Sequence, residues 1–170
     1  MLVLPMHSSV TNVLFVSREN ACRGLLAEAC LKQLGNGKFR VFSCGAPSEV
    51  ADQPKGWTLL ALQAAGIPAT GLHCKSWTEF TRNGAVKMDF VITLDAETAI
   101  SHPAWVGQPV TALWEYPPIF GRKKNQKELR LDTMQTLLSL RRRIELLVSL
   151  HARSRKRTDL QHDLRDLNHV

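Results

Sequence analysis

Residues 12–29, NVLFVSRENACRGLLAEA, constrain the fold more than any other stretch. Val13, Leu14, Phe15 and Val16 form an apolar run without polar alternation, the pattern of a strand covered on both faces. Ser17 to Arg23 follow at once, and Leu25, Leu26, Ala29 and Cys30 then recur at helical spacing. The stretch therefore predicts a buried strand, a tight loop and a helix. Such a loop presents free backbone N–H groups and the positive end of a helix dipole, and so suits an anion. Arg23 stands where a forked guanidinium would grip two oxygens of that anion. Any β–turn–α unit shares these features, and one arginine in a loop is a weak signal by itself.

Further elements follow at regular intervals. Gly35-Asn36-Gly37 reads as the C-cap and turn after the first helix, and Phe39 to Ser43 as a second strand. Pro54-Lys55-Gly56 opens a helix through Trp57, Leu59, Leu60, Leu62 and Ala65, stopped by Gly66-Ile67-Pro68. Ser76 reads as the N-cap of a short turn, with Glu79 in the capping-box place. Asp89–Leu94 and Val110–Leu113 read as the third and fourth strands, with a short helix over Ala96–Ser101 between them. Residues 124–151 predict one long helix with Met134, Leu137, Leu138, Ile144, Leu147 and Val148 as its buried stripe. Within it, Arg141-Arg142-Arg143 read as a solvated face with snorkelling stems. A short last helix is expected around Leu160, Leu164 and Leu167. Strands separated by helices imply parallel pairing, with ligands at the carboxyl ends of the strands, where Ser17 and Trp114 fall.

Particular residues add a family resemblance. VLFVSRENACRGLLAEA resembles the signature of the low-molecular-weight protein tyrosine phosphatases and their thioredoxin-coupled arsenate reductase relatives. In that family a strand leads into Cys, five residues, Arg and Ser, and then a helix beginning near "MAEA". Asn20, Cys22, Arg23 and Ala27-Glu28-Ala29 stand at matching places. Phe42-Ser43-Cys44-Gly45 resembles the family's "SAG", and residues 75–80, KSWTEF, resemble "KSWDEF". Val91-Ile92-Thr93 and residues 102–114, HPAWVGQPVTALW, resemble "VIT…CPVWPGQPVTAHW". The resemblance implies a three-layer α/β/α fold with a four-stranded parallel sheet. It implies oxyanion binding by a phosphate-binding loop of Ser17, Arg18, Glu19, Asn20, Ala21, Cys22 and Arg23. Asn20 and Ser43 match the pair that braces that loop.

The departures concern the reacting atoms. Ser17 occupies the place of the family's cysteine nucleophile, and Gly24 the place of the serine that donates to the thiolate. Pro118 stands at or next to the place of the general-acid aspartate. Glu19 adds negative charge where the family often has glycine. A serine hydroxyl stays protonated and needs an adjacent base, and no histidine lies near Ser17 in sequence. Loss of the acid removes about 10²–10⁴-fold from leaving-group expulsion. An engineered substitution would account for Ser17 alone, but hardly for Gly24 and Pro118.

At 170 residues the chain fits a single phosphatase-like domain over 1–170, with an N-terminal extension at 1–11 and a basic tail with a short helix at 152–170. Its first residues, MLVLPMHSS, lack the basic start and long apolar core of a signal peptide, and no stretch suits a membrane span. Cys22, Cys30, Cys44 and Cys74 have no paired CxxC spacing, which fits a reducing cytoplasm better than a disulfide framework or zinc site. Cys30 and Cys44 are expected to be buried small hydrophobes. The roles of Cys22 and Cys74 stay open. In the reductase branch downstream cysteines carry redox steps, but Leu94-Asp95 stand near the place of a second such cysteine. No cofactor or metal is expected.

The net charge of +7 is concentrated. Residues 1–118 hold nine basic and nine acidic groups, and residues 119–170 hold thirteen and six. The tail, including Arg153, Arg155, Lys156 and Arg157, therefore suits an acidic protein or polyanion partner. The expected function is binding of phosphate, sulfate or arsenate by a catalytically impaired family member, a pseudoenzyme. The alternatives are a working phosphatase or arsenate reductase with a substituted nucleophile, and an interaction protein that uses its basic tail.

Overall fold

The computed structural model describes residues 10–119, 124–153 and 157–170. Four parallel strands form one sheet in the order β2-β1-β3-β4: β1 Thr11–Val16, β2 Phe39–Cys44, β3 Phe90–Thr93 and β4 Val110–Leu113. The helices are α1 Arg23–Leu34, α2 Gly56–Ala64, α3 Ala96–Ser101, α4 Gln126–Arg153 and α5 Arg157–Asp166, with 3-10 turns at Trp77–Phe80 and Leu167–His169.

β1 is a central strand, paired with β2 on one side and β3 on the other. Its side chains alternate between two cores, as the two-residue period of a strand requires. Val13 and Phe15 join the cluster formed with α1, α2, α4 and α5, whereas Leu14 and Val16 join Phe80, Met88, Val91 and Trp105. The arrangement is the expected three-layer α/β fold with four parallel strands. Its second outer layer is built around the 3-10 turn and the segment leading to β3 rather than by long helices.

The strand order positions the site. From β1 the chain crosses α1 to β2 on one side, and the next crossover leads to β3 on the other. The connections diverge between β1 and β3, so a crevice opens at their carboxyl ends. Two segments meet there: residues 17–22 after β1, and Leu94-Asp95 after β3.

The expected cap and turn after α1 are present, with Gly35 at the C-cap and Asn36 and Gly37 in left-handed backbone. Other local expectations are corrected. α4 starts at Gln126, where Asn125 and Glu128 make the reciprocal hydrogen bonds of a capping box. Its buried stripe runs through Thr133, Leu137, Leu140, Ile144 and Leu147, while Leu138 is 55% exposed. A step from 137 to 138 turns about 100° around the axis, off this face. Arg143 lies on the stripe and is buried, so the solvated-face reading fails for it, although Arg142 is exposed and Arg141 pairs with Glu145. The N-terminal residues 1–9 and the tail residues Arg155 and Lys156 lie outside the described residues.

Candidate functional site

The loop that follows β1 is built from its carbonyls outward. Those of Arg18, Glu19 and Ala21 accept from the N–H groups of Ala46, Ala51 and Lys55. Thr58 Oγ1 also donates to the Ala21 carbonyl. With the carbonyls turned away, the N–H groups turn inward, and those of Glu19 to Cys22 meet no acceptor among the described residues. The N-terminus of α1 follows directly and adds the free N–H groups of its first turn.

Asn20 sits at φ 53°, in the left-handed region that Asn tolerates better than most residues. Its side chain fixes the loop in two directions. Nδ2 donates to Ser43 Oγ at 2.9 Å, and Oδ1 accepts from the Lys75 N–H at 3.0 Å. Ser43 in turn donates to Glu28 at 2.8 Å, and Glu28 pairs with Lys32 and Lys75. Gly45 lets the end of β2 approach this loop. A Cβ there would lie 2.9 Å from the Arg18 carbonyl oxygen and 3.1 Å from the Asn20 nitrogen.

Ser17 is 2% exposed, and its Oγ has no hydrogen-bond partner among the described residues. Among the described residues no side chain is hydrogen-bonded to it to take its proton. A Cβ at Gly24 would come within 2.8 Å of that Oγ and 3.1 Å of Asn20 Nδ2, so a serine at position 24 would require Ser17 to turn.

Arg23 is buried and held by two acceptors. Nη1 donates to the Tyr116 carbonyl at 2.8 Å, and Nη2 lies 3.5 Å from Asp95 Oδ2. Burial pulls its pKa down and Asp95 offsets only part of this, but a guanidinium stays charged throughout. One N–H group donates a hydrogen bond and Nη2 faces Asp95 as an ion pair, which leaves the rest of the fork to grip a ligand. The same Asp95 oxygen accepts from the Arg18 N–H at 3.1 Å, while Oδ1 caps α3 through the Thr98 N–H. A carboxylate of the chain itself thus stands at the mouth of the loop. It is Asp95; Glu19 remains partly exposed. Arg18 reaches outward to Glu49 and Glu97.

Pro118 is exposed in the wall of a cavity of about 590 Å³ beside the loop, together with Arg18, Arg23, Asp95 and Glu115. Pro118 has no proton to give. Burial raises the pKa of all four thiols, Cys22 to about 11 and Cys30 to about 12. Cys22, although next to Arg23, is therefore a thiol and not a poised thiolate. Cys30 and Cys44 are buried as expected.

The structure thus brings Ser17, Asn20, Arg23 and Ser43 together and leaves Pro118 at the rim. Sequence reasoning missed Asp95, Glu28, Lys75 and the Tyr116 carbonyl as parts of the site. Asp95 carried a readable signal: it follows a strand at the same end of the sheet and precedes a helix as a cap residue. No trio of His, Cys, Asp or Glu suited to a metal occurs among the described residues, and no helix among them is long and apolar enough to cross a membrane.

Residues 12–128 match the family model described as low molecular weight phosphotyrosine protein phosphatase. A glutaredoxin arsenate reductase of Synechocystis sp. is 31% identical over 103 residues, 61% of this chain and 74% of that protein. Among solved structures, an arsenate reductase in the phosphate binding state aligns at TM-score 0.61 and 24% identity, over 83% of this chain and 98% of that one. The arsenate reductase of Archaeoglobus fulgidus aligns at 0.60 and 22%, over 81% and 98%. A cysteine-to-serine mutant of the YwlE arginine phosphatase, with a phosphorylated active-site serine, aligns at 0.60 and 18%, over 86% and 99%. At these identities the structural likenesses establish a common fold.

Proposed function

The chain belongs to the low-molecular-weight phosphotyrosine protein phosphatase family, and we propose that it binds a phosphate-type oxyanion (phosphate, sulfate or arsenate) at residues 17–23 while catalysing little or nothing. One observation carries this reading. The buried hydroxyl of Ser17 has no partner among the described residues, at the start of a loop whose Arg18, Glu19 and Ala21 carbonyls are bonded outward. A buried polar group left unpaired costs about 1–3 kcal/mol. A bound oxyanion would satisfy that hydroxyl and the inward N–H groups, with the free edge of Arg23 closing on two of its oxygens. An arsenate reductase of the same fold occurs in a phosphate binding state, which supports phosphate as the class of ligand.

The chemistry fails for a separate reason. Displacement at phosphorus would form an Oγ–P bond, break the bond to the leaving group and release the hydroxyl proton, and no side chain among the described residues is bonded to Ser17 to accept it. Expulsion of the leaving group would need a proton that Pro118 lacks. Cys22 offers no substitute thiolate. These points weigh against a working phosphatase or arsenate reductase. The unpaired cysteines fit the cytoplasm proposed for the chain.

Calorimetric titration with inorganic phosphate tests the reading. Binding in the millimolar range or tighter, abolished by Arg23→Ala, is expected; no heat from the parent chain would refute it. The basic residues 119–170 support a second, independent reading as an acidic-partner or polyanion site. Binding of a model polyanion should then fall steeply between about 50 and 200 mM salt, and weaken when Arg153, Arg155, Lys156 and Arg157 are all replaced by Ser.

A further inference from the structure

Arg23 is fixed by a series of contacts that runs out of its own loop and into the last residues of the chain. Its Nη1 donates to the Tyr116 carbonyl at 2.8 Å. The Tyr116 ring packs under the Arg143 guanidinium, 4.6 Å from the ring centre. Arg143 Nη2 donates to the Asn168 carbonyl at 3.1 Å, and the Asn168 side chain accepts from the Glu115 N–H at 2.7 Å. On either side, the Trp114 indole donates to the Leu164 carbonyl, and the Tyr116 hydroxyl meets Ser139. Three consecutive residues, 114 to 116, are thus tied to α4, α5 and the C-terminal turn.

Arg143 is an unusual choice for this place. It is 7% exposed, and among the described residues its Nε and Nη1 have no hydrogen-bond partner and no carboxylate pairs with it. A buried charge without a counter-charge is costly. Leu140 and Ile144 fill the same stripe with apolar side chains, so packing alone does not call for arginine at 143. A planar guanidinium alone both lies flat on a ring and reaches a carbonyl beyond it.

We propose that Arg143 and Asn168 are positioning residues for the oxyanion site. Together they lock the Glu115–Tyr116 peptide, and the Tyr116 carbonyl then holds Arg23 with its free edge turned to the loop. The buried charge of Arg143 adds to the positive potential behind that edge. Both residues lie beyond residue 128, where the match to the family model ends. The inference deepens the proposed oxyanion binding and rests on it.

The test uses the full chain, inorganic phosphate, and the variants Arg143→Met, Arg143→Lys, Asn168→Ala and Leu147→Ala. The last removes a buried α4 side chain as a control for stability alone. Two readouts are taken: the nitrogen NMR signals of the Arg23 guanidinium without ligand, and the phosphate dissociation constant. A locked guanidinium gives separate Nη signals, and a loosened one gives averaged signals. Separate signals are expected in the parent and in Leu147→Ala, and averaged signals in the other three. Phosphate binding should weaken about tenfold in those three, the scale of one charge-assisted hydrogen bond, and hold in Leu147→Ala. Unchanged Arg23 signals in Arg143→Met and Asn168→Ala would overturn the proposal. So would a Leu147→Ala variant that loosens Arg23 as much, or an Arg143→Lys variant that behaves as the parent does. If the parent takes up no phosphate while the variants still free Arg23, the oxyanion reading falls and the clamp stands.

Discussion

Asp95 offers the sharpest perturbation of the loop. Its Oδ2 lies 3.1 Å from the Arg18 nitrogen and 3.5 Å from Arg23 Nη2, so one carboxylate oxygen already uses a loop N–H and a corner of the guanidinium. An oxyanion bound to the neighbouring N–H groups would centre one hydrogen bond plus one P–O bond, about 4–5 Å, from each donor nitrogen, and so on the order of 5 Å from Asp95. Two unit charges at about 5 Å repel by roughly 3 kcal/mol at an effective dielectric of about 20. Asp95→Asn removes that repulsion and keeps a side-chain oxygen for the α3 cap or for Arg18. It also gives up the ion pair to Arg23, whose 3.5 Å separation is long beside the 2.8 Å bond to Tyr116. Taking about 1–2 kcal/mol for that loss, the net gain is about 1–2 kcal/mol, or roughly tenfold tighter binding. The assay is phosphate titration of parent and Asp95→Asn at fixed ionic strength, with a thermal melt of each to confirm folding. Weaker phosphate binding in a folded Asp95→Asn chain would refute the reasoning. It would mean that Asp95 serves to aim Arg23 and that Tyr116 alone does not hold it.

Three further outcomes are expected. The chain should hydrolyse an aryl phosphate negligibly, and Ser17→Cys should restore it only partly, well below about 10 s⁻¹, because Gly24 and Pro118 stay unrepaired; full recovery, read from phenolate absorbance, would show that another group supplies the acid. Gly45→Ala should cost about 1–3 kcal/mol in a denaturant melt, since its Cβ would meet the loop backbone within 2.9–3.1 Å; an unchanged midpoint would mean that the loop gives way. His151 packs on Phe39 and meets Thr11 Oγ1, and burial lowers its pKa. The folded state then binds fewer protons than the unfolded one, so stability is full above the unfolded value near 6.5 and falls as pH drops below it. His151→Gln should flatten that part of the stability–pH curve, and an unaltered slope would assign it to other groups.

The parts of this molecule that were legible in its sequence are the ones set by local period. The unbroken run Val13–Val16 marked a strand covered on both faces, and all four side chains have no exposed surface. The loop and helix after it followed from the change of period at Ser17. The illegible parts are closures between distant residues. Arg18 meets Asp95 across 77 positions and Arg23 meets Tyr116 across 93. Periodicity says that a residue is buried, and it does not say what it meets. Arg143 is the intermediate case. Its place three residues after Leu140 put it on the buried face, but three consecutive arginines read as one solvated unit, and their Tyr116 and Asn168 partners were not visible.

The braces of the loop and its reacting atom belong to separate sets of contacts, and this explains how one persists without the other. Asn20, Ser43, Glu28 and Lys75 form a buried polar network in which each member satisfies another. Removing one strands its partners, at about 1–3 kcal/mol for each group left unpaired. Ser17 takes no part in that network, so the residue at position 17 changes the chemistry without loosening the loop. The free protein carries its unpaired hydroxyl as a standing cost, and that cost disappears when an oxyanion supplies the missing partner. Stability and binding are therefore linked. Phosphate at a hundred times its dissociation constant should stabilise the fold by about 2.7 kcal/mol, and Ser17→Ala should leave the free protein no less stable while reducing that gain. A destabilised Ser17→Ala chain would mean that the hydroxyl already has a partner in solution, and the cradle would then be filled before any ligand arrives.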